Sequence, residues 1–129
     1  MTQPLPDTID LDADDRMERP VTRLCYLALK EAILTGVGEI RMPVPDHEGG
    51  LIEYRQDGAW KPVMKIPLAA RQPMIERYEF MAGVEPGSRA ERRGHMRIKL
   101  RERIHAITLS ERLETDGPVE LRLQIDAAT

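Results

Sequence analysis

Apolar residues recur at helical spacing just after the first twenty positions of this 129-residue chain. Pro20 suits the first turn of a helix, because its missing N–H would have no partner there. The apolar positions that follow form one stripe: Val21, Leu24, Cys25, Ala28 and Ala32, widened by Leu27 and Leu34. Gly36 and Gly38 end the pattern. The spacing predicts a helix over 20–35.

A second helical pattern follows Pro67. Its apolar side consists of Leu68, Met74, Ile75, Tyr78, Met81 and Ala82. Pro73 interrupts the pattern and can shift the true start of the helix, since proline removes a helical hydrogen bond. Gly83 is a suitable end.

Between the two helices the period changes to two, which is typical of strands. Glu39 to Val44 predicts a short strand, and Asp46-His47-Glu48-Gly49-Gly50 predicts a loop. Leu51 to Arg55 and Ala59 to Met64 predict a hairpin, because Asp57-Gly58 is a favoured two-residue turn.

The last third predicts three more strands. In the first, Met96, Ile98 and Leu100 face one way while Arg97, Lys99 and Arg101 face the other. Ile104 to Arg112 follows a tight turn, Asp116-Gly117 makes the next turn, and Val119 to Ile125 alternates again. We therefore expect an α+β domain: a mostly antiparallel sheet of about six strands, with two main helices packed on one face.

Charge divides the chain unevenly, although the net charge is only −3. Residues 1–18 carry six acidic side chains against Arg16, with few large apolar groups, so we expect an acidic disordered arm. Residues 19–126 form the single α+β domain and 127–129 a tail. Residues 89–103 are basic, with Arg89, Arg92, Arg93, Arg97, Lys99, Arg101 and Arg103.

Length and composition allow one modest core, with 41% of residues apolar. The apolar runs are far shorter than the roughly 20 residues that cross a bilayer, so we expect no membrane insertion. The amino terminus carries no secretory signal pattern, and a single cysteine excludes an intrachain disulfide. We expect a cytoplasmic protein.

Three segments, taken in order, carry a resemblance to a known family. They are Gly38-Glu39-Ile40-Arg41-Met42-Pro43, then Glu53-Tyr54-Arg55-Gln56-Asp57-Gly58, then the segment from Ile75 that ends Met81-Ala82-Gly83. Together with the PAS-like order α-β-β-β-α-β-β-β, they resemble the accessory domain that precedes the motor in bacterial type II secretion and type IV pilus ATPases. The likeness spans roughly 22–125.

The resemblance implies a non-enzymatic assembly or regulatory module that binds a protein partner such as a secretion or pilus motor or platform component. The family follows its second helix with an arginine-rich turn ending Pro-Gln-Asp-Gly-Arg. This chain has Arg89 and then Arg92-Arg93-Gly94-His95, without Pro-Gln-Asp and with His95 near the position of the family arginine, so the sequence leaves open whether any nucleotide contact is retained. No lysine lies in a phosphate-binding loop, so we expect no ATP hydrolysis.

The basic segment is the main functional candidate of the sequence, as a partner- or phosphate-binding face. Alternating cations are also what the solvated side of a sheet carries. Nucleic acid is an unlikely ligand, because residues 89–103 contain no aromatic residue for stacking. A protein with an acidic surface, or the acidic arm itself, fits better. The alternative function is a small-molecule sensor, since helix-backed sheets form pockets.

Other side chains are weaker candidates. His47, His95 and His105 are too scattered for a zinc site, and we expect no metal or other cofactor. Cys25 lies on an apolar stripe, which indicates a packed thiol rather than a nucleophile. Tyr54 and Trp60 can lie either in the core or on an exposed sheet face.

Overall fold

The computed structural model describes residues 8–12, 19–43, 49–84, 91–112 and 120–126. The helices are α1 (Pro20–Leu34) and α2 (Leu68–Met81). The strands are β1 (Ile9–Asp10), β2 (Glu39–Met42), β3 (Gly50–Gln56), β4 (Ala59–Ile66), β5 (Glu91–Leu100), β6 (Arg103–Arg112) and β7 (Glu120–Ile125).

Within the described residues, one seven-stranded sheet has the order β1-β5-β6-β7-β2-β3-β4. All neighbouring strands are antiparallel except β1, which runs parallel to β5. The α+β fold and the mostly antiparallel sheet are therefore confirmed. The expected count of about six strands is one too low, and the expected order lacked a strand before the first helix.

The missed strand corrects the prediction of a disordered arm over 1–18. Ile9 and Leu11 are buried, and the Leu11 amide donates to the Lys99 carbonyl at 2.8 Å. In the sequence, two apolar residues spaced two apart among acidic residues are too short a pattern to predict a strand. The rest of the arm, residues 1–7 and 13–18, lies outside the described residues, as do the Asp116-Gly117 turn and the tail.

The first helix begins at Pro20 as predicted, but its buried stripe differs from the predicted one. Cys25, Leu29 and Ala32 are fully buried, whereas Leu27 and Leu34 are each 42% exposed. At about 100° per residue, Leu27 and Leu34 lie roughly 180–200° around the helix from Cys25. They therefore face solvent and do not widen the stripe.

The second helix starts at Leu68 and continues through Pro73, so the expected shift of its start is wrong. The Ala70 amide donates to the Pro67 carbonyl at 2.9 Å, which closes a tight first turn before the proline. Leu68 is 55% exposed. The buried side chain of the first turn is instead Arg71, which donates to the Pro43 carbonyl at 3.0 Å.

Two tight turns shape the hairpins. Asp57 and Gly58 have φ of 54° and 79°, which confirms the predicted two-residue turn between β3 and β4. Arg101 and Glu102 join β5 to β6 with φ of 52° and 66° and without glycine. Arg101 thus belongs to a turn, although the sequence pattern placed it in the strand.

The helices cover one face of the sheet, and the core lies between them. A close contact at the carboxyl end of α2 depends on Gly94 in β5. A Cβ at this position would lie 2.6 Å from the Ala82 carbonyl oxygen and 2.7 Å from a methyl group of Val84. The absence of a side chain lets the helix end contact the strand.

The two outer edges of the sheet differ. The edge strand β4 carries Lys61, Pro62 and Lys65, and its register with β3 shifts beside Ile52 and Glu53. At the other edge, β5 is paired with the two-residue β1, and the His95 amide donates to the Ala82 carbonyl at 3.1 Å.

Candidate functional site

The sheet face away from the helices is rich in charged side chains. Strand register places Arg93, Ser110, Arg122, Arg41 and Glu53 in one row across this face. The next row contains His95, Thr108, Gln124, Glu39, Arg55 and Trp60. No helix covers this face within the described ranges. We call these two rows, together with Arg97, the open face.

Trp60 lies at one side of the open face, which resolves the alternative left by the sequence. The guanidinium groups of Arg41, Arg122 and Arg55 lie 4.5, 5.7 and 5.9 Å from its ring centre. All three arginines also pair with carboxylates: Arg41 with Glu53 at 2.8 Å, Arg122 with Glu120 at 2.8 Å and Arg55 with Glu39 at 3.6 Å. The charge here is largely compensated.

The β5 side of the open face has uncompensated positive charge. Arg93 and Arg97 are exposed, and neither forms an ion pair with another residue in the described part of the chain. Lys99 is half-buried and lies beside Asp10 of β1. Of the other predicted basic residues, Arg101 lies in the following turn and Arg89 lies outside the described residues.

Arg92 does not belong to the open face, contrary to the prediction that grouped it with Arg93. Its guanidinium lies on the helix side, 3.2 Å from a carboxylate oxygen of Glu79 in α2 and 3.7 Å from one of Glu111 in β6. Residues adjacent in a strand point to opposite faces, so Arg92 and Arg93 diverge. Basic side chains adjacent in sequence are thus divided between a surface and an internal cluster.

This cluster contains the most perturbed carboxyl group in the described residues. The Glu111 side chain is 0% exposed, and neither of its oxygens has a hydrogen-bond partner there. Burial, followed by the neighbouring Glu79 carboxyl group, raises the pKa of Glu111 to about 8, although Arg92 opposes the shift. One arginine therefore serves two carboxyl groups, and the raised pKa favours the protonated form of Glu111.

The residues that carry the family resemblance have structural roles in this fold. Tyr54 is buried, and its hydroxyl donates to the Ala28 carbonyl at 2.6 Å. Burial raises the Tyr54 pKa to about 12. Met81 and Ala82 are buried at the end of α2. Arg55 is on the open face; Asp57, Gly58 and Gly83 form turns with positive φ.

Cys25 is a packed thiol. It is fully buried, its Sγ lies 3.6 Å from the Met74 carbonyl oxygen, and the Tyr78 hydroxyl donates to the Cys25 carbonyl at 2.9 Å. Burial raises the thiol pKa to about 12, which keeps the group protonated and unreactive.

The histidines do not converge. His95 lies on the open face with Nδ1 3.4 Å from the Thr108 hydroxyl, whereas burial, followed by Arg103, lowers the pKa of His105 on β6. His47 falls outside the described residues. Among the residues that the structure describes, no group of three or more His, Cys, Asp and Glu could hold a metal.

Part of the acidic arm lies beside the basic strand. Asp10 is the register partner of Lys99, and a carboxylate oxygen of Asp12 accepts a hydrogen bond from the Arg101 amide at 2.8 Å. The Asp10 carboxylate in turn accepts from the Asp12 amide at 2.8 Å. The edge of β5 thus holds a segment in which apolar and acidic residues alternate, with Ile9 and Asp10 in the strand and Leu11 and Asp12 in the turn that follows.

Comparison with known proteins adds no family assignment: no family model matches the sequence, and no curated protein matches it. Neither helix of the described chain combines the length and apolar character needed to span a membrane.

Two features were missed from the sequence. In β6, Glu111 lies on the same inward-facing side as Ile107 and Leu109. A charged residue at a position where the alternation predicts an apolar one was therefore the available signal in the sequence. The contact of Trp60 with Arg41 and Arg122 had no local signal, because it joins β4 to β2 and β7.

Proposed function

We propose that this chain is a non-enzymatic assembly or regulatory module whose open face binds an acidic surface on a protein partner. The observation that carries the proposal is the pair Arg93 and Arg97, two exposed cations on one strand without carboxylate partners in the described residues. Exposed charges contribute little to stability but strongly affect association rates and partner choice.

Two further observations support the β5 side of the open face. The arginines around Trp60 are already paired with carboxylates, so Arg93 and Arg97 are the unpaired arginines of the open face in the described residues. The chain's own acidic segment lies beside the same strand, with Asp10 next to Lys99. The surface therefore already accommodates acidic groups.

The partner class follows from the resemblance to the accessory domain of secretion and pilus ATPases. We propose a motor ATPase or the cytoplasmic part of a platform protein as the partner. The residues that carry the resemblance lie largely in the core and turns, so they support a shared architecture. They do not place a nucleotide site on this chain.

The test is a binding titration with purified motor ATPase and platform protein from the same genome, at about 50 and 300 mM salt. We expect salt-sensitive binding to one of them and at least a tenfold loss in the variant Arg93→Glu/Arg97→Glu. Arg23→Glu/Lys30→Glu is the matched control, because both side chains are exposed cations on α1. Circular dichroism checks that both variants are folded.

Two results would contradict the proposal. One is absence of binding to every motor and platform protein tested. The other is an equal loss in the open-face variant and the α1 control, because a general charge effect needs no docking surface.

A small-molecule sensor is the second candidate, favoured by a groove of about 660 Å³ between the start of α1 and the middle of α2. Val21, Pro73 and the exposed Phe80 provide its apolar part, and the Arg77 guanidinium lies 5.2 Å from the Phe80 ring centre. Native mass spectrometry of freshly purified protein tests this candidate. A bound small molecule that is lost in Val21→Glu would support it, whereas a ligand-free mass would count against it.

A further inference from the structure

The edge of β5 is held by a segment that contributes only a two-residue strand. Within residues 8–12, Ile9 and Leu11 bury their side chains and Asp10 and Asp12 remain exposed. Burial of two apolar side chains is comparable in size to the entropy lost on ordering five residues. Such a strand exchanges more readily than the ten-residue β5–β6 pairing beside it.

The contacts of this segment define what the edge recognises. The register partner of Ile9 is Ile98, and that of Asp10 is Lys99. The Leu11 amide donates to the Lys99 carbonyl, and the Asp12 carboxylate accepts from the Arg101 amide, both at 2.8 Å. Main-chain pairing supplies affinity in strand addition, and alternate side chains supply specificity.

We infer that the edge of β5 is a docking site for an acidic segment of a partner protein, which displaces β1 and pairs parallel to Ile98 and Lys99. The preferred pattern alternates apolar and acidic residues, as in Ile9-Asp10-Leu11-Asp12. The chain's own segment then acts as a competitor that keeps the edge covered until the partner binds. This inference rests on the proposed function, because it specifies how the acidic partner engages β5.

The β5 edge has a defined length, and one cation along it, Arg97, has no acidic neighbour in β1. Continued parallel register places Thr8 beside Arg97, on the side of the sheet where Asp10 lies beside Lys99. The His95 amide is already bonded to the Ala82 carbonyl, so pairing does not extend beyond this point. A partner with an acidic residue in place of Thr8 would gain a contact with Arg97 that β1 lacks.

The test uses fluorescent peptides and the full-length chain. The peptides are residues 6–13 of this sequence, the same peptide with Thr8→Glu, and a scrambled peptide of equal composition without the alternation. We expect wild type to bind them weakly, because its own segment occupies the edge. Ile9→Ser/Leu11→Ser should bind the first peptide at least tenfold more tightly than wild type, since the edge is released.

The peptide variants test the recognition rule. Thr8→Glu should tighten binding two- to fivefold through Arg97, and Arg97→Ala in the released chain should remove that gain. The scrambled peptide should not bind. If the released variant is folded and binds neither alternating peptide, docking at this edge is refuted.

A milder variant covers the case in which Ile9→Ser/Leu11→Ser fails to fold. Asp12→Ala removes only the carboxylate that accepts from the Arg101 amide, so it should bind the peptide with an affinity above that of wild type. A folded Asp12→Ala chain without this gain would also refute the inference.

Two further outcomes would overturn docking of a partner segment at this edge. A wild-type dimer in light scattering that is lost in Ile9→Ser/Leu11→Ser would make a second copy the occupant and overturn docking of a different protein. Negative peptide results together with salt-sensitive partner binding through Arg93 and Arg97 would overturn edge docking alone. The proposed function would then still stand.

Discussion

Replacement of Glu111 by glutamine should change how the stability of the protein depends on pH. In the native state the carboxyl group is buried between β6 and α2, and the neighbouring charged groups are Glu79 and Arg92. Its pKa is raised from 4.5 to about 8. The native state thus retains a proton that the unfolded chain releases near pH 4.5.

The sign and the size of this pH dependence follow from the linkage between folding and proton binding. Between pH 4.5 and about 8 the native state binds more protons at Glu111 than the unfolded state, so the free energy of unfolding falls as pH rises. Over the full interval from pH 4.5 to about 8, a slope of ~1.4 kcal/mol per pH unit lowers the free energy of unfolding by on the order of 5 kcal/mol. We expect a loss of about 3–5 kcal/mol.

Urea denaturation of both proteins between pH 5 and pH 8.5 measures the effect. Wild type should lose stability relative to Glu111→Gln across this range, because glutamine has no proton to release. Any contribution that the two proteins share cancels in the difference between their free energies of unfolding. Glu91→Gln is the control, because Glu91 is an exposed carboxylate on β5. A difference between wild type and Glu111→Gln that is constant with pH would show that Glu111 is ionised in the fold.

Three further substitutions or treatments test the packing. Gly94→Ala should destabilise the protein by about 1–3 kcal/mol in urea denaturation, because its Cβ would meet the Ala82 carbonyl; an unchanged midpoint would contradict this contact. Tyr54→Phe should cost about 1–3 kcal/mol by leaving the buried Ala28 carbonyl without the hydroxyl donor, and a neutral result would mean that another donor replaces it. Cys25 should react with a thiol reagent at neutral pH only after denaturant is added, and rapid labelling of the native protein would refute its burial.

Sequence periodicity predicted most of the fold because most elements have a local signal. The β3–β4 hairpin follows from Asp57-Gly58, and the inward face of β5 follows from Met96, Ile98 and Leu100. β1 could not be predicted in this way. Its stability comes from pairing with a strand about ninety residues later, and two apolar residues among aspartates carry little information about that pairing.

The candidate site was only partly predictable for the same reason. Alternation correctly placed Arg97 on the exposed side of β5. Arg92 and Arg93 were grouped by their position in the sequence, although strand geometry sends them to opposite faces. The partner of Arg92 in α2 is Glu79, and no local pattern links these two residues.

The unequal edges of the sheet also limit how copies of this chain can associate. Proline at position 62 and the flanking lysines make β4 a poor template for another strand, since proline offers no N–H. At the other end of the sheet, in the described part of the chain, β5 is covered by the two-residue β1, which we infer can be exchanged. Association through a single edge joins two copies around a twofold axis and stops there, whereas a fibre needs two edges that accept strands. The fold therefore permits pairing through the sheet without open-ended polymerisation.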